Sequence, residues 1–213
     1  MAIKPPSPPV MDGTPAKHSG TGNHPPSRIV IHSAVMPCEP GRAQQLGQMN
    51  SAGSGGGSWH YATDPVATFQ CSFDRFTCWH APPNDHSIGI EMADMPGPVP
   101  SNEKRPTGAS LLTAKAVASY KSAGRAWRWS QKPQRQMLRR TAKLTAHLCL
   151  AYDLPLRFRG PRALRSGKRG ITTHANVSAA WGQSTHWDPG WWPRAWFMVL
   201  VRAEAKRLRA GGK

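Results

Sequence analysis

The alternation of apolar and polar residues starts late. Residues 1–27 are rich in Pro, Gly and Ser with little to bury, and they predict a mobile lead-in. The run Arg28-Ile29-Val30-Ile31-His32-Ser33 is β-branched and bounded by Pro26 and Pro37, which predicts a buried strand. A short helix is expected over Arg42–Met49, then a flexible Gly/Ser loop through Gly57. Ser58–Thr63, Ala67–Ser72 and Ser87–Met92 read as further strands. Residues 94–108 are Pro-rich loop and 109–129 are expected to hold a short helix, so that 94–129 forms an insertion. The clearest helical period covers Pro133–Tyr152. Met137, Leu138, Thr141, Leu144, Thr145, Leu148 and Cys149 share one face, and Arg135, Arg139, Arg140 and Lys143 take the other. A basic loop (Arg157–Arg169), a strand at Gly170–Thr173 and a last helix from Pro193 complete the pattern. That helix is expected to bury Trp196, Phe197, Leu200 and Val201 and to end in Lys206-Arg207-Leu208-Arg209.

Strands and helices interleave, which predicts an α/β fold: a mixed central β-sheet flanked by helices. With 213 residues the chain can bury one core. The expected organisation is a single domain over 28–208, preceded by a disordered Pro/Gly-rich N-terminus (1–27) and followed by a basic tail (209–213).

Charge changes the picture. The net charge is +17, yet residues 1–100 hold only 5 of the 28 Lys/Arg against 7 of the 11 acidic residues. A basic half of that strength points to a polyanionic partner: nucleic acid, anionic lipid or an anionic wall polymer. No apolar run approaches membrane-spanning length, and MAIKPPSPPV has no apolar signal region. The expectations are therefore no signal peptide, no membrane insertion and synthesis in the cytoplasm. Cys38, Cys71, Cys78 and Cys149 form no CxxC pair and are expected as reduced thiols.

Among nine histidines, His32 ends a strand and His174 follows another, while Asp188 sits in a Trp-Asp-Pro-Gly turn before a helix. Two imidazoles and a carboxylate suit a catalytic zinc site that keeps one position open for water. Spacing alone leaves open that each is an ordinary satisfied polar residue.

The order of the pieces adds to this. Arg28-Ile29-Val30-Ile31-His32-Ser33, Ser58-Trp59-His60-Tyr61, Cys78-Trp79-His80-Ala81 and Asn84-Asp85-His86-Ser87-Ile88-Gly89-Ile90-Glu91 come first. The helix at 133–152, Gly170-Ile171-Thr172-Thr173-His174 and His186-Trp187-Asp188-Pro189-Gly190 follow. In this order, over residues 28–205, the chain resembles the type 2 N-acetylmuramoyl-L-alanine amidases, the superfamily of phage amidase endolysins and peptidoglycan recognition proteins. The resemblance implies a zinc amidase domain with one Zn2+ on His32, His174 and Asp188, and Glu91 as general base. His186 stands where members often carry a Lys that holds the oxyanion. It is a catalytic candidate, with direct metal binding as its alternative. Trp59 stands where some relatives place a catalytic Tyr. Trp79, His80 and Asn84 match a segment that borders the substrate groove; Trp59 is a further substrate-binding candidate, and Trp187 is a candidate groove wall because sugar-binding grooves use such rings.

The expected function is zinc-dependent cleavage of the amide between N-acetylmuramic acid and L-alanine, by a phage endolysin acting in host lysis. Alternatives are a non-catalytic peptidoglycan-binding recognition protein and a cytoplasmic muropeptide-recycling amidase. The expected partners are peptidoglycan and anionic wall polymers, without nucleic acid, for a monomer. It would be held in the infected host's cytoplasm until lysis and then act on the cell wall. Against nucleic acid, aromatic and basic residues do not interleave as in a single-strand platform.

Overall fold

The computed structural model describes residues 9–10, 13–22, 25–34, 36–94, 129, 131–186, 188–190 and 192–211. Within them the elements run β1 (Arg28–Ser33), α1 (Arg42–Ala52), β2 (Tyr61–Thr63), β3 (Thr68–Gln70), β4 (Ser87–Met92) and α2 (Lys132–Ala151). After these come α3 (Pro161–Arg165), β5 (Gly170–Thr173), α4 (His174–Trp181) and α5 (Arg194–Arg209).

The continuous apolar run of β1 marks a strand covered on both faces, and it lies inside the sheet. The five-stranded order is β3-β2-β4-β1-β5. β1 pairs in parallel with β4 and β5, β2 is parallel to β4, and β3 closes the far edge antiparallel to β2. Side chains alternate between the faces. Ile29, Ile31, Ile88, Ile90 and Ile171 pack beneath α2 and α5 with Met137, Leu138, Leu148, Phe197 and Val201. On the other face Val30 meets Leu164, Val177 and Ala180 from α3 and α4, while Ala62 meets Ala43 and Leu46 of α1. This is the expected mixed sheet flanked by helices.

The periodic face of α2 is buried as its spacing predicts, and Arg135, Arg139, Arg140 and Lys143 are exposed. In α5, Phe197 and Val201 are buried, whereas Trp196 and Leu200 are half-buried at its margin. None of the four cysteines is in a disulfide. Among the described residues no helix is long and apolar enough to cross a membrane.

Several expectations change. The two strands of the hairpin are three residues each: beyond the Tyr61–Gln70 pair the His60 C=O accepts both the Cys71 and Ser72 N–H groups, and the Ser58 N–H donates to the Trp79 C=O. α1 runs on to Ala52 and stops at Gly53, whose φ of 66° gives the left-handed cap that glycine adopts without strain. The basic loop contains α3, opened by Pro161 at its first turn. β5 leads directly into α4, which Thr173 caps by accepting the Asn176 N–H. The lead-in, expected to be mobile throughout, is packed over 13–22: Gly13 C=O accepts the Phe73 N–H, and Ser19 and Gly20 bond to Thr77. The helix expected in 109–129 falls, up to residue 128, outside the described residues.

Candidate metal centre and active site

Because β1, β4 and β5 are mutually parallel, their C-terminal ends open at one edge, where α/β sheets place ligands. His32 is the penultimate residue of β1, and Glu91 stands opposite it in register on β4. His174 opens α4 straight after β5. Asp188 arrives from the segment beyond α4. Its C=O accepts the Ala175 N–H at 3.0 Å, which anchors the turn to the first turn of α4, and its Oδ2 accepts the Ser33 N–H at 3.3 Å. His32, His174 and Asp188 are all buried.

The three side chains bring one ligand atom each within 4.8 Å of one another. His32 Nδ1 lies 3.1 Å from Asp188 Oδ2, and His174 Nδ1 lies 3.1 Å from Asp188 Oδ1. A hydrogen-bond chain behind His32 determines which of its nitrogens carries the proton. Ser87 Oγ gives its only hydrogen to the Asn84 C=O at 2.6 Å, so it must accept from His80 Nε2 at 3.0 Å. Neutral His80 then accepts at Nδ1, from His32 Nε2 at 3.0 Å. His32 Nδ1 is left with a lone pair pointed at a carboxylate oxygen. A lone pair facing a carboxylate at that distance is an arrangement a bound cation would satisfy, and the separation is close to the roughly 3.3 Å edge of a tetrahedral site with bonds of about 2.0–2.1 Å. Ser184 Oγ, 3.2 Å from His174 Nε2, can hold the second imidazole in the same sense. The donor set fits a small divalent metal.

Electrostatics agree with neutral His32 and His80. Burial lowers the His32 pKa to about 4, although Asp188 pulls upward, and burial with the neighbouring histidines holds His80 well below its usual range. Burial would raise Asp188, but without metal the imidazoles of His174 and His32, acting as N–H donors, outweigh that and keep it well below the carboxylate range; with their Nδ1 lone pairs turned inward, a bound cation would take that role. Glu91 goes the other way: burial and then the Asp188 charge push it well above that range. Its Oε1 lies 3.7 Å from His32 Nδ1, and its Oε2 is buried without a hydrogen-bond partner. A desolvated carboxylate beside a cation site is a proton acceptor awaiting a donor.

His186 lies outside the three-residue cluster. Its ring stacks on His174 at 4.4 Å, its Nδ1 is 3.8 Å from Asp188 Oδ1, and its side chain is 66% exposed. It lies over the His174 ring and lines the cleft.

That cleft, about 630 Å³, runs from the cluster across Glu91, Trp59, Trp79 and the Gly55–Gly57 loop. Trp79 is 45% exposed on its rim, whereas Trp59 is buried against α1. Asn84 borders the cleft, but its Oδ1 already accepts the His80 and Ala81 N–H groups. His80 is buried behind His32, so its contacts are with His32, Ser87 and the His60 ring. Trp187 lies outside the described residues. Sequence reasoning missed Ser33, Ser87, Gly89 and Ser184. Gly89 carried a signal: it lies directly over the His80 ring, where a Cβ would come within 2.8 Å. A glycine inside an apolar strand marks such a close approach.

Residues 22–191 match the family described as N-acetylmuramoyl-L-alanine amidase. Among solved structures, the chain is similar to the Staphylococcus aureus hydrolase AmiA in complex with its ligand. The TM-score is 0.62 at 13% identity, over 99% of this chain and 88% of that one. It is also similar to the endolysin N-acetylmuramoyl-L-alanine amidase LysCS from Clostridium intestinale URNW, with a TM-score of 0.53 at 13% identity over 99% of both chains. At such identities the likeness establishes the fold. No curated protein matches the chain.

Proposed function

The chain belongs to the N-acetylmuramoyl-L-alanine amidase family, and from that premise we propose that it cuts the amide between N-acetylmuramic acid and L-alanine with one zinc ion on His32, His174 and Asp188. The observation that carries this reading is the approach of His32 Nδ1 and His174 Nδ1 to the Asp188 carboxylate, each at 3.1 Å, with the buried Glu91 beside His32. Bound at that cluster, zinc supplies the charge that polarises the scissile carbonyl and acidifies the attacking water. Glu91 takes the proton of that water as the C–O bond forms, then delivers it to the alanine nitrogen as the C–N bond breaks. His186 donates its N–H to the developing oxyanion. The His80–Ser87 chain keeps the proton on His32 Nε2, away from the site.

The purified protein is expected to contain zinc, to release free alanine amines from walls, to lose this activity to a chelator and to regain it with zinc. Cleavage that persists without metal sinks the zinc assignment. Walls that yield new reducing sugar ends and no new amines sink the amidase reading.

The finer role we propose is that of a phage endolysin: a monomer held in the infected host's cytoplasm until lysis, then acting on the wall. Support comes from the net charge of +17 and from exposed Arg135, Arg139, Arg140, Lys143, Lys206 and Arg207, a surface suited to peptidoglycan and its anionic polymers. A recycling amidase handling small soluble muropeptides has no need of that surface. Sedimentation of the protein with purified walls should weaken as salt rises; binding indifferent to salt removes this support.

A further inference from the structure

Residues 13–21 precede the stretch that matches the family, yet they are fastened to the wall of the cleft. Ala16 N–H donates to the Asn50 C=O at 3.2 Å, and Ser19 and Gly20 exchange backbone hydrogen bonds with Thr77 at 3.0 and 2.9 Å. Three side-chain contacts then reach the cleft itself. Lys17 Nζ donates to the Gly55 C=O at 2.7 Å. Ser58 Oγ donates to the Lys17 C=O while accepting the Trp79 N–H at 2.8 Å. The Trp79 Nε1–H donates to Ser19 Oγ at 2.7 Å. Packing leaves no slack between these parts. A Cβ on Gly57 would lie 2.1 Å from the Trp79 carbonyl oxygen, and one on Gly53 would lie 3.0 Å from Ala16 Cβ.

Resting on the amidase reading, we propose that residues 13–21 are a strap that positions the substrate groove, with Ser19 holding the Trp79 indole as a platform for a sugar ring of the peptidoglycan strand. Trp79 is half-exposed, and its one polar side-chain atom is already satisfied by Ser19. The ring faces are therefore what it has to offer, and a sugar presents C–H groups to such a face. Untied, an exposed indole samples several rotamers, and ordering it on binding costs affinity. Lys17 does the same for the Gly55 carbonyl on the adjoining wall. Ser19 is thus a positioning residue that acts through Trp79.

The test uses the full chain and isolated walls. Ser19→Ala should raise KM about fivefold, the worth of one net hydrogen bond, while kcat and zinc content keep wild-type values and Tm falls by no more than about 4 °C; Ser19→Thr should restore KM. The Trp79 indole N–H, identified in proton NMR by its loss in Trp79→Phe, should exchange with solvent about fivefold faster in Ser19→Ala. An unchanged KM overturns the strap, as does unchanged indole exchange or a joint loss of kcat, zinc and Tm. A wild type that releases no alanine amine sinks the amidase reading instead, and the exchange comparison then decides the strap by itself.

Discussion

The two faces of the same two strands do opposite work. Ile29, Ile31, Ile88 and Ile90 turn to α2 and α5 and form an aliphatic layer, in which the buried Thr141 and Thr145 hydroxyls of α2 are satisfied by carbonyls of their own helix. One residue over in register, Val30, His32, Gly89 and Glu91 turn to the face that carries the cluster, where His80 lies on Gly89 and bonds to His32. The first face holds the strands in place by area removed from water; the second uses that rigidity to keep lone pairs and a desolvated carboxylate aimed. A period of two allows stability and chemistry to be separated within six residues, so changes on the two faces should give different signatures.

The largest effect expected is from Asp188→Ala. It removes the carboxylate shared by both imidazoles, and zinc content and wall cleavage should fall to background while the fold persists by circular dichroism. Next comes Glu91→Gln, which should keep zinc but lower kcat by about 10²–10⁴; a variant as fast as wild type means that Glu91 is not the base. Gly89→Ala forces a methyl to within 2.8 Å of the His80 ring. Zinc affinity should weaken about 10–100-fold, as when a partner behind a ligand is displaced, and unaltered affinity in a metal titration would dismiss the relay.

The pH dependence of the metal-free chain tests the same face. His32 protonates near pH 4 when folded against about 6.5 when unfolded, so the unfolded chain takes up the proton first as pH falls. This contribution is complete above about pH 6.5, is lost as pH drops toward 4, and levels off below that. Denaturant midpoints that stay flat through this window contradict it. The smallest effect belongs to the aliphatic face: Ile31→Val should cost about 0.5–1.5 kcal/mol of stability and leave zinc affinity as it was.

Much of this layout was legible in the sequence because it is local. β1, β4 and β5 announce themselves by β-branched runs, and α2 by its 3.6-residue period. α4 escaped notice because HANVSAAW has no clear amphipathic stripe; its signals were the caps, Thr173 ahead and Gly182 behind, the latter at φ 68°. The lead-in misled because Pro, Gly and Ser suggest mobility by composition, whereas here backbone bonds over 13–20, the buried Pro15 and the His18 ring on Phe76 fasten the segment. His80 was assigned to the groove by its neighbours in the chain, yet its ring turns inward over the one position of β4 that lacks a Cβ.

The sequence by itself determined the strands, the long helix and, through residue type and order, the candidates His32, His174, Asp188 and Glu91. Only the tertiary structure decided that Asp188 faces both imidazoles while His186 stacks outside, and that Ser87 and His80 direct the lone pair of His32. Alternation and periodicity are properties of neighbouring residues and can be read along the chain. Proton placement depends on atoms about 3 Å apart that belong to distant segments, and parallel pairing of β1, β4 and β5 is what brings those segments to one edge.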